Sequence, residues 1–203
     1  MSSDPHPTRA LLTPGADFPQ RAIPITRQPQ RVWFRVHKAG TPAVRFGKLS
    51  HHRFSPPDGP FAVLYVGASM QTCLWEYFGD EVFQGQRVIS AARWAGCCLS
   101  QIVAPELKVC AATLERTRDA MSVDKASLLA ADLGVPQAWS RAVQEHPAGF
   151  EALKYSSRFL DQPCLALFDR DGLPARLQAK TLGTLSELDP AADWLEERKA
   201  ALV

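Results

Sequence analysis

The stretch Phe61–Asp80, FAVLYVGASMQTCLWEYFGD, contains the change of period that decides the fold. Residues 61–67 are a continuous apolar run, the pattern of a buried strand. Beyond it Met70, Cys73, Leu74, Tyr77 and Phe78 recur at i, i+3, i+4, i+7 and i+8, the stripe of an amphipathic helix. Ser69 has the chemistry of an N-cap and Gly79 that of a C-terminal stop. A buried strand therefore runs straight into a helix that must cover a sheet. At ~100° per residue, Glu76 falls on the flank of the apolar stripe, beside Cys73, at the boundary of the core.

Strand patterns surround this unit. RVWFRVH, 31–37, alternates, with Val32, Phe34 and Val36 on one face and Trp33, Arg35 and His37 on the other. The loop that follows is basic and turn-rich, and it places Arg53 just ahead of the buried strand. Further strands are expected in 87–104 and 107–112. Helices are expected over 124–134, ended by Gly134, and over 136–146, started by Pro136. LKYSSRFL, 153–160, reads as a strand, turning at 161–163 into a hairpin with CLALF. Alternation puts Tyr155, Ser157 and Phe159 on one wall, with Ser156 and Arg158 on the other. ADWLEERKAAL, 192–202, closes the chain as a helix. This mixed order, with strands dominating the middle, favours an α+β fold over a doubly wound sheet.

With 203 residues the chain has room for one generous domain. Residues 1–30 are rich in proline and are expected to form an arm without regular structure, leaving 31–203 as the domain. A net charge of +2 gives no basic excess for nucleic acid or an anionic membrane. No apolar run reaches the ~18 residues of a membrane span, and the N-terminus lacks a signal-type hydrophobic region, so a cytoplasmic location is expected. The five cysteines include no C-x-x-C pair, and the five histidines make no i,i+4 pair. The cysteines read as reduced core thiols, and no metal is expected.

Taken singly, Arg35, Arg53, Tyr65, Glu76 and Ser157 each have an ordinary structural role open to them. Their order is more specific. VWFRVH, HHRFSPPDGPFAVLYVGASMQTCLWEYFGD and GFEALKYSSRFLDQPCLALF together resemble the RES-domain family, over roughly Arg31 to Phe168. The resemblance implies an ADP-ribosyltransferase-like, mainly antiparallel β core with flanking helices. It also implies a toxin that cleaves the nicotinamide–ribose bond of NAD+ by phosphorolysis or hydrolysis, paired with an Xre-type helix-turn-helix antitoxin. Some members transfer ADP-ribose to a protein. Carried over residue by residue, Arg35, Glu76 and Ser157 are the catalytic candidates. Arg53, Tyr65, Ser55 and Tyr155 are the substrate-binding candidates. The loop that in many members reads Gly-Arg-Trp-Asn is here His52-Arg53-Phe54-Ser55. That departure keeps open a module that binds NAD+, ADP-ribose or a partner without turnover.

The residue types suit this chemistry. Arginine makes bidentate, charge-assisted bonds to pyrophosphate, and an aromatic ring packs on cationic nicotinamide. A carboxylate beside the oxocarbenium-like ribose stabilises it, and a serine can orient amide or ribose without being a nucleophile. There is no G-x-G-x-x-G and no Walker pattern, which fits NAD+ as a substrate rather than a bound redox cofactor. No cofactor is implied, and inorganic phosphate is the expected co-substrate of phosphorolysis.

Overall fold

A computed structural model describes residues 10–48, 50–83 and 87–203. The order of elements is β1 (Ile25–Gln28), β2 (Arg31–Lys38), β3 (Val63–Gly67), α1 (Met70–Phe83), β4 (Val88–Ile89), α2 (Ala91–Ala95), β5 (Cys97–Ala104) and β6 (Leu107–Ala111). There follow α3 (Glu115–Met121), α4 (Lys125–Leu128), α5 (Gly134–Glu145), β7 (Ala152–Ser156), β8 (Pro163–Phe168), α6 (Leu173–Arg176), β9 (Gln178–Thr184), α7 (Asp189–Arg198) and β10 (Ala201–Leu202). The main sheet has the order β1-β6-β7-β8-β3-β2-β5-β9. Its pairs are antiparallel except β6–β7, and the crossover between those two strands carries α3, α4 and α5. The fold is α+β.

The sheet is nearly split in two. β2 pairs with β5 along its whole length, Arg31↔Ala104 to Lys38↔Cys97, yet meets β3 only at Phe34↔Gly67. β3 in turn pairs fully with β8. The two halves therefore diverge on either side of one contact, with Arg35 next to it on β2 and the entry to α1 next to it on β3. Gly67 permits the close approach there, because a Cβ would lie 2.9 Å from Cys73 Sγ and 3.2 Å from Thr72.

Three apolar layers hold the halves. Leu153, Tyr155, Cys164, Ala166 and Phe168 of β7 and β8 pack with Trp139 and Val143 of α5. On the opposite face Leu64, Val66, Leu165 and Leu167 meet Trp33 and Ile102. The other half-sheet packs Val36 and Leu99 under α1, α2 and α7 through Leu74, Phe78, Trp94 and Trp194. All five cysteines are free thiols, and only Cys98 is more than slightly exposed. Among the described residues no helix is long and apolar enough to cross a membrane.

Several expectations need correction. β2 is covered on both faces: Trp33 is fully buried and His37 nearly so, while Val32 is 39% exposed. The His37 ring bonds Ser100 Oγ at 2.8 Å, and Ser100 in turn bonds Thr181 Oγ1 at 3.0 Å, so these three polar groups satisfy one another. The residues 87–94 hold only the two-residue β4. Ser90 then caps α2, its Oγ accepting from the Arg93 N–H. Helix 124–134 is one turn, capped where Asp124 accepts from the Ser127 N–H at 2.7 Å, and Gly134 opens α5 instead of ending α4. The last helix stops at Arg198, with Lys199 left-handed (φ 50°), so that Ala201 and Leu202 can pair with β4. The first nine residues of the proline-rich arm lie outside the described residues. The remainder is irregular except for a single 3-10 turn at Phe18–Gln20 and for Ile25–Gln28, which, free of proline between Pro24 and Pro29, pairs with β6 at the sheet edge, where flanking prolines are tolerated.

Gly79 does not end α1, which runs four residues further. Its role is steric: a Cβ would sit 2.5 Å from the Phe159 ring. That ring cannot simply swing away, because it stacks on Trp75 (5.6 Å) and Phe83 (5.4 Å). Gly79→Ala should therefore act as an overpacking substitution and cost about 1–3 kcal/mol. Tm is expected to fall by about 2–10 °C in a thermal melt. An unchanged or higher Tm would show that the aromatic stack yields to the added methyl.

Candidate active site

The strand expected over 153–160 ends at Ser156, and this places Ser157. The Ser157 N–H donates to Gln162 O at 2.8 Å, so the chain leaves the sheet and turns. The amides of Phe159 and Leu160 fold back onto Ser157 Oγ at 3.2 and 3.3 Å. The hydroxyl hydrogen is thereby aimed outward, and it donates to Glu76 Oε1 at 2.6 Å. Phe159 consequently leaves the Tyr155 wall. Tyr155 packs on Phe54 (4.6 Å), while Phe159 joins the aromatic stack over α1. Ser157 is 5% exposed and Ser156 half-buried, as alternation through the strand requires.

Glu76 is open to solvent, yet protein crowds its carboxylate on the remaining sides. Desolvation raises its pKa above the ordinary carboxylate value, against the Ser157 hydrogen bond and the charges of Arg53 and Arg158, which lower it. The elements that converge here are the middle of α1, the end of β7, the 50–55 loop and β3.

Arg53 is half-buried, and its Nη1 donates to Ala130 O at 3.0 Å. Tyr65 on β3 organises the loop around it. The Tyr65 Oη accepts from the Phe54 N–H at 2.9 Å and shares a hydrogen bond of 3.1 Å with Ser55 Oγ. The His52 ring stands edge-on to Tyr65 at 5.4 Å. Burial pushes the Tyr65 phenol up to about 12 and the His52 imidazole down to about 4, so both are neutral at neutral pH. Ser55 is 2% and Tyr155 5% exposed, and both lie behind Tyr65 and Phe54 as supports.

Arg35 lies on β2, one residue beyond the Phe34↔Gly67 contact. Its charge is felt by His52 on one side and by Cys73 on the other, and Glu76 also acts on Cys73. Desolvation pulls the guanidinium down to about 10. Its Nε and Nη1 are buried and have no hydrogen-bond partner among the described residues. Burying a charged donor without an acceptor is costly, so such a group is waiting for an anion or is a strain on the fold.

Arg158 and His52 also belong to this neighbourhood. Arg158 lies over the Phe159 ring (4.4 Å) and pairs with Asp80, as well as acting on Glu76. Its position next to Ser157 in LKYSSRFL was the available signal, hidden by the expectation that the strand continues. A cavity of about 290 Å³ lies on the other side of β7, lined by Lys125, Lys154, Ser156 and Asp161. None of Arg35, Glu76 or Ser157 lines it.

A mixed α+β architecture with a mainly antiparallel sheet, in which β2 and β3 meet at a single pair, defines the class. Within that class the chain belongs to the RES-domain family: the sequence model of the RES domain matches residues 29–186. Among solved structures, a chain of the M. tuberculosis MbcT–MbcA toxin–antitoxin complex is similar in fold. It is 18% identical with a TM-score of 0.64, over 87% of this chain and 93% of that chain. No curated protein matches the sequence.

Proposed function

We propose that this chain cleaves the nicotinamide–ribose bond of NAD+, as the toxin of a toxin–antitoxin pair. The observation that carries the proposal is the Arg35 guanidinium, desolvated and with Nε and Nη1 unpartnered among the described residues, in the same neighbourhood as a serine-bound carboxylate, since Arg35 and Glu76 both act on Cys73. A ligand with an anionic centre at one end and a developing cation at the other satisfies both. NAD+ has this polarity: its pyrophosphate would take the Arg35 side and its nicotinamide riboside the Glu76 side. The nearby charge of Arg45 adds to the positive field on the Arg35 side.

Glu76 would then lie beside the ribose as the C1′–N bond breaks. The bonding electrons go to nicotinamide, which leaves neutral and needs no strong general acid. The oxocarbenium-like ribose is stabilised by the carboxylate, and an oxygen of phosphate or water completes the substitution while its proton passes to solvent. Ser157 holds the Glu76 carboxylate in place and keeps it ionised. Membership of the RES family supports the reaction class, and the fold shared with the M. tuberculosis toxin–antitoxin structure supports the biological setting.

Purified protein incubated with NAD+ labelled in the ADP-ribose half should release nicotinamide. A phosphorylated ADP-ribose product formed only with phosphate identifies phosphorolysis, and free ADP-ribose identifies hydrolysis. Label on a macromolecule in lysate identifies a transferase. NAD+ bound but intact would replace the enzyme by a binding module, and NAD+ neither bound nor cleaved would remove the proposal. The expected partner is an Xre-type helix-turn-helix antitoxin covering the cleft, so a purified complex that still cleaves NAD+ at the free rate would contradict that arrangement.

A further inference from the structure

The 50–55 loop, which carries His52, Arg53 and Ser55, is short of regular structure and departs from the pattern of related loops. Its backbone is nevertheless held from one direction by a single helix. Gln137 Nε2 on α5 donates to Ser50 O at 2.7 Å and to His52 O at 3.1 Å. Ser140 Oγ, one turn further along, donates to Phe54 O at 2.8 Å. Spacing of i and i+3 puts both side chains on the same helix face. Gln137 is 7% exposed and Ser140 fully buried, so neither is a solvated polar position. From the other direction the loop is tied by Tyr65, through the Phe54 amide and Ser55. The Arg53 guanidinium itself rests on Ala130 O, in the connection that enters α5. The helix is pinned in turn: Trp139 Nε1 donates to Leu12 O at 2.7 Å and packs against Phe18.

We propose that Gln137 and Ser140 are positioning residues, a latch on α5 that fixes the loop bearing His52 and Arg53 against Tyr65 and so sets the affinity of the cleft for its anionic substrate. The two residues touch backbone carbonyls of the loop and act through Arg53, not on the reacting atoms. Their contribution should appear in binding rather than in bond cleavage. The effect on NAD+ rests on the function proposed above, whereas the latch itself can be read without turnover.

The test compares the parent protein with Ser140→Ala and with the double variant Gln137→Ala, Ser140→Ala. Hydrogen exchange is followed at the amides of Phe54 and Ser55, and KM and kcat are measured for NAD+. Loss of these bonds should raise KM about tenfold in the double variant, with kcat within about twofold. Exchange of the Phe54 and Ser55 amides should accelerate while those in the middle of α5 stay protected. Reintroducing Gln137 into the double variant should recover part of the KM. Unchanged exchange at the loop, or faster exchange in α5 and the loop alike, would overturn the latch. A fall in kcat with KM unchanged would overturn the positioning role. Should the parent protein leave NAD+ intact, the function fails on that result, and the exchange measurement alone decides the latch.

Discussion

Glu76→Gln is expected to lower kcat for NAD+ cleavage by about 10²–10³-fold, the usual loss of one preorganised electrostatic contact to a transition state. The substitution keeps the size of the side chain and leaves an oxygen to accept from Ser157. It removes only the negative charge, so folding is spared and Tm should stay close to that of the parent. Desolvation already raises the Glu76 pKa above its ordinary value. Activity needs the charged form. The kcat/KM profile should therefore fall on the acid side with a midpoint above the ordinary carboxylate range, and Glu76→Gln should remove that limb. Parent-like kcat in the Glu76→Gln variant would show that the carboxylate does not meet the reacting ribose.

Ser157→Ala is expected to have the next largest effect, about 10–100-fold in kcat/KM, because a hydrogen bond to a charged group is worth ~1.5–3 kcal/mol. It should also move the acid limb. The Ser157 hydroxyl stabilises the ionised carboxylate and lowers its pKa, so its removal shifts the limb to higher pH. Ser156→Ala is the control: its side chain lies on the other side of β7, against Lys125 and Lys154. Steady-state rates across the acid range separate the two variants. Equal losses, or a limb that moves down, would mean that Ser157 acts through the turn it holds together and not through Glu76.

The parts of this structure governed by local periodicity were legible in the sequence. The run 61–67 and the stripe beginning at Met70 correspond to β3 and α1, with Ser69 accepting from the Thr72 amide at 3.1 Å as an N-cap. The alternation of Leu153 and Tyr155 carried Ser157 to the buried side even though the strand stops one residue earlier. Positions decided by tertiary contact were misread. Gly79 carries the local signature of a helix stop, but the distant Phe159 ring needs its missing side chain. The strand pattern of 87–94 is broken by Ser90, whose capping bond starts a helix. Gln137 and Ser140 carry no local signal of their role, and only the folded chain shows that they are buried and bonded to a loop far earlier in the sequence. The unpartnered Arg35 likewise looks, in sequence, like any arginine on a strand. Its lack of an acceptor among the described residues emerges only where the two half-sheets part.

We propose that the neighbourhood of Arg35, Glu76 and Ser157 breaks the nicotinamide–ribose bond. Proton NMR of purified protein with NAD+, in phosphate and in phosphate-free buffer, follows that bond directly. The free nicotinamide resonances should grow at the expense of those of NAD+, and should stay near background with Glu76→Gln at the same concentration. NAD+ resonances that persist unchanged in both buffers at stoichiometric protein would contradict the claim.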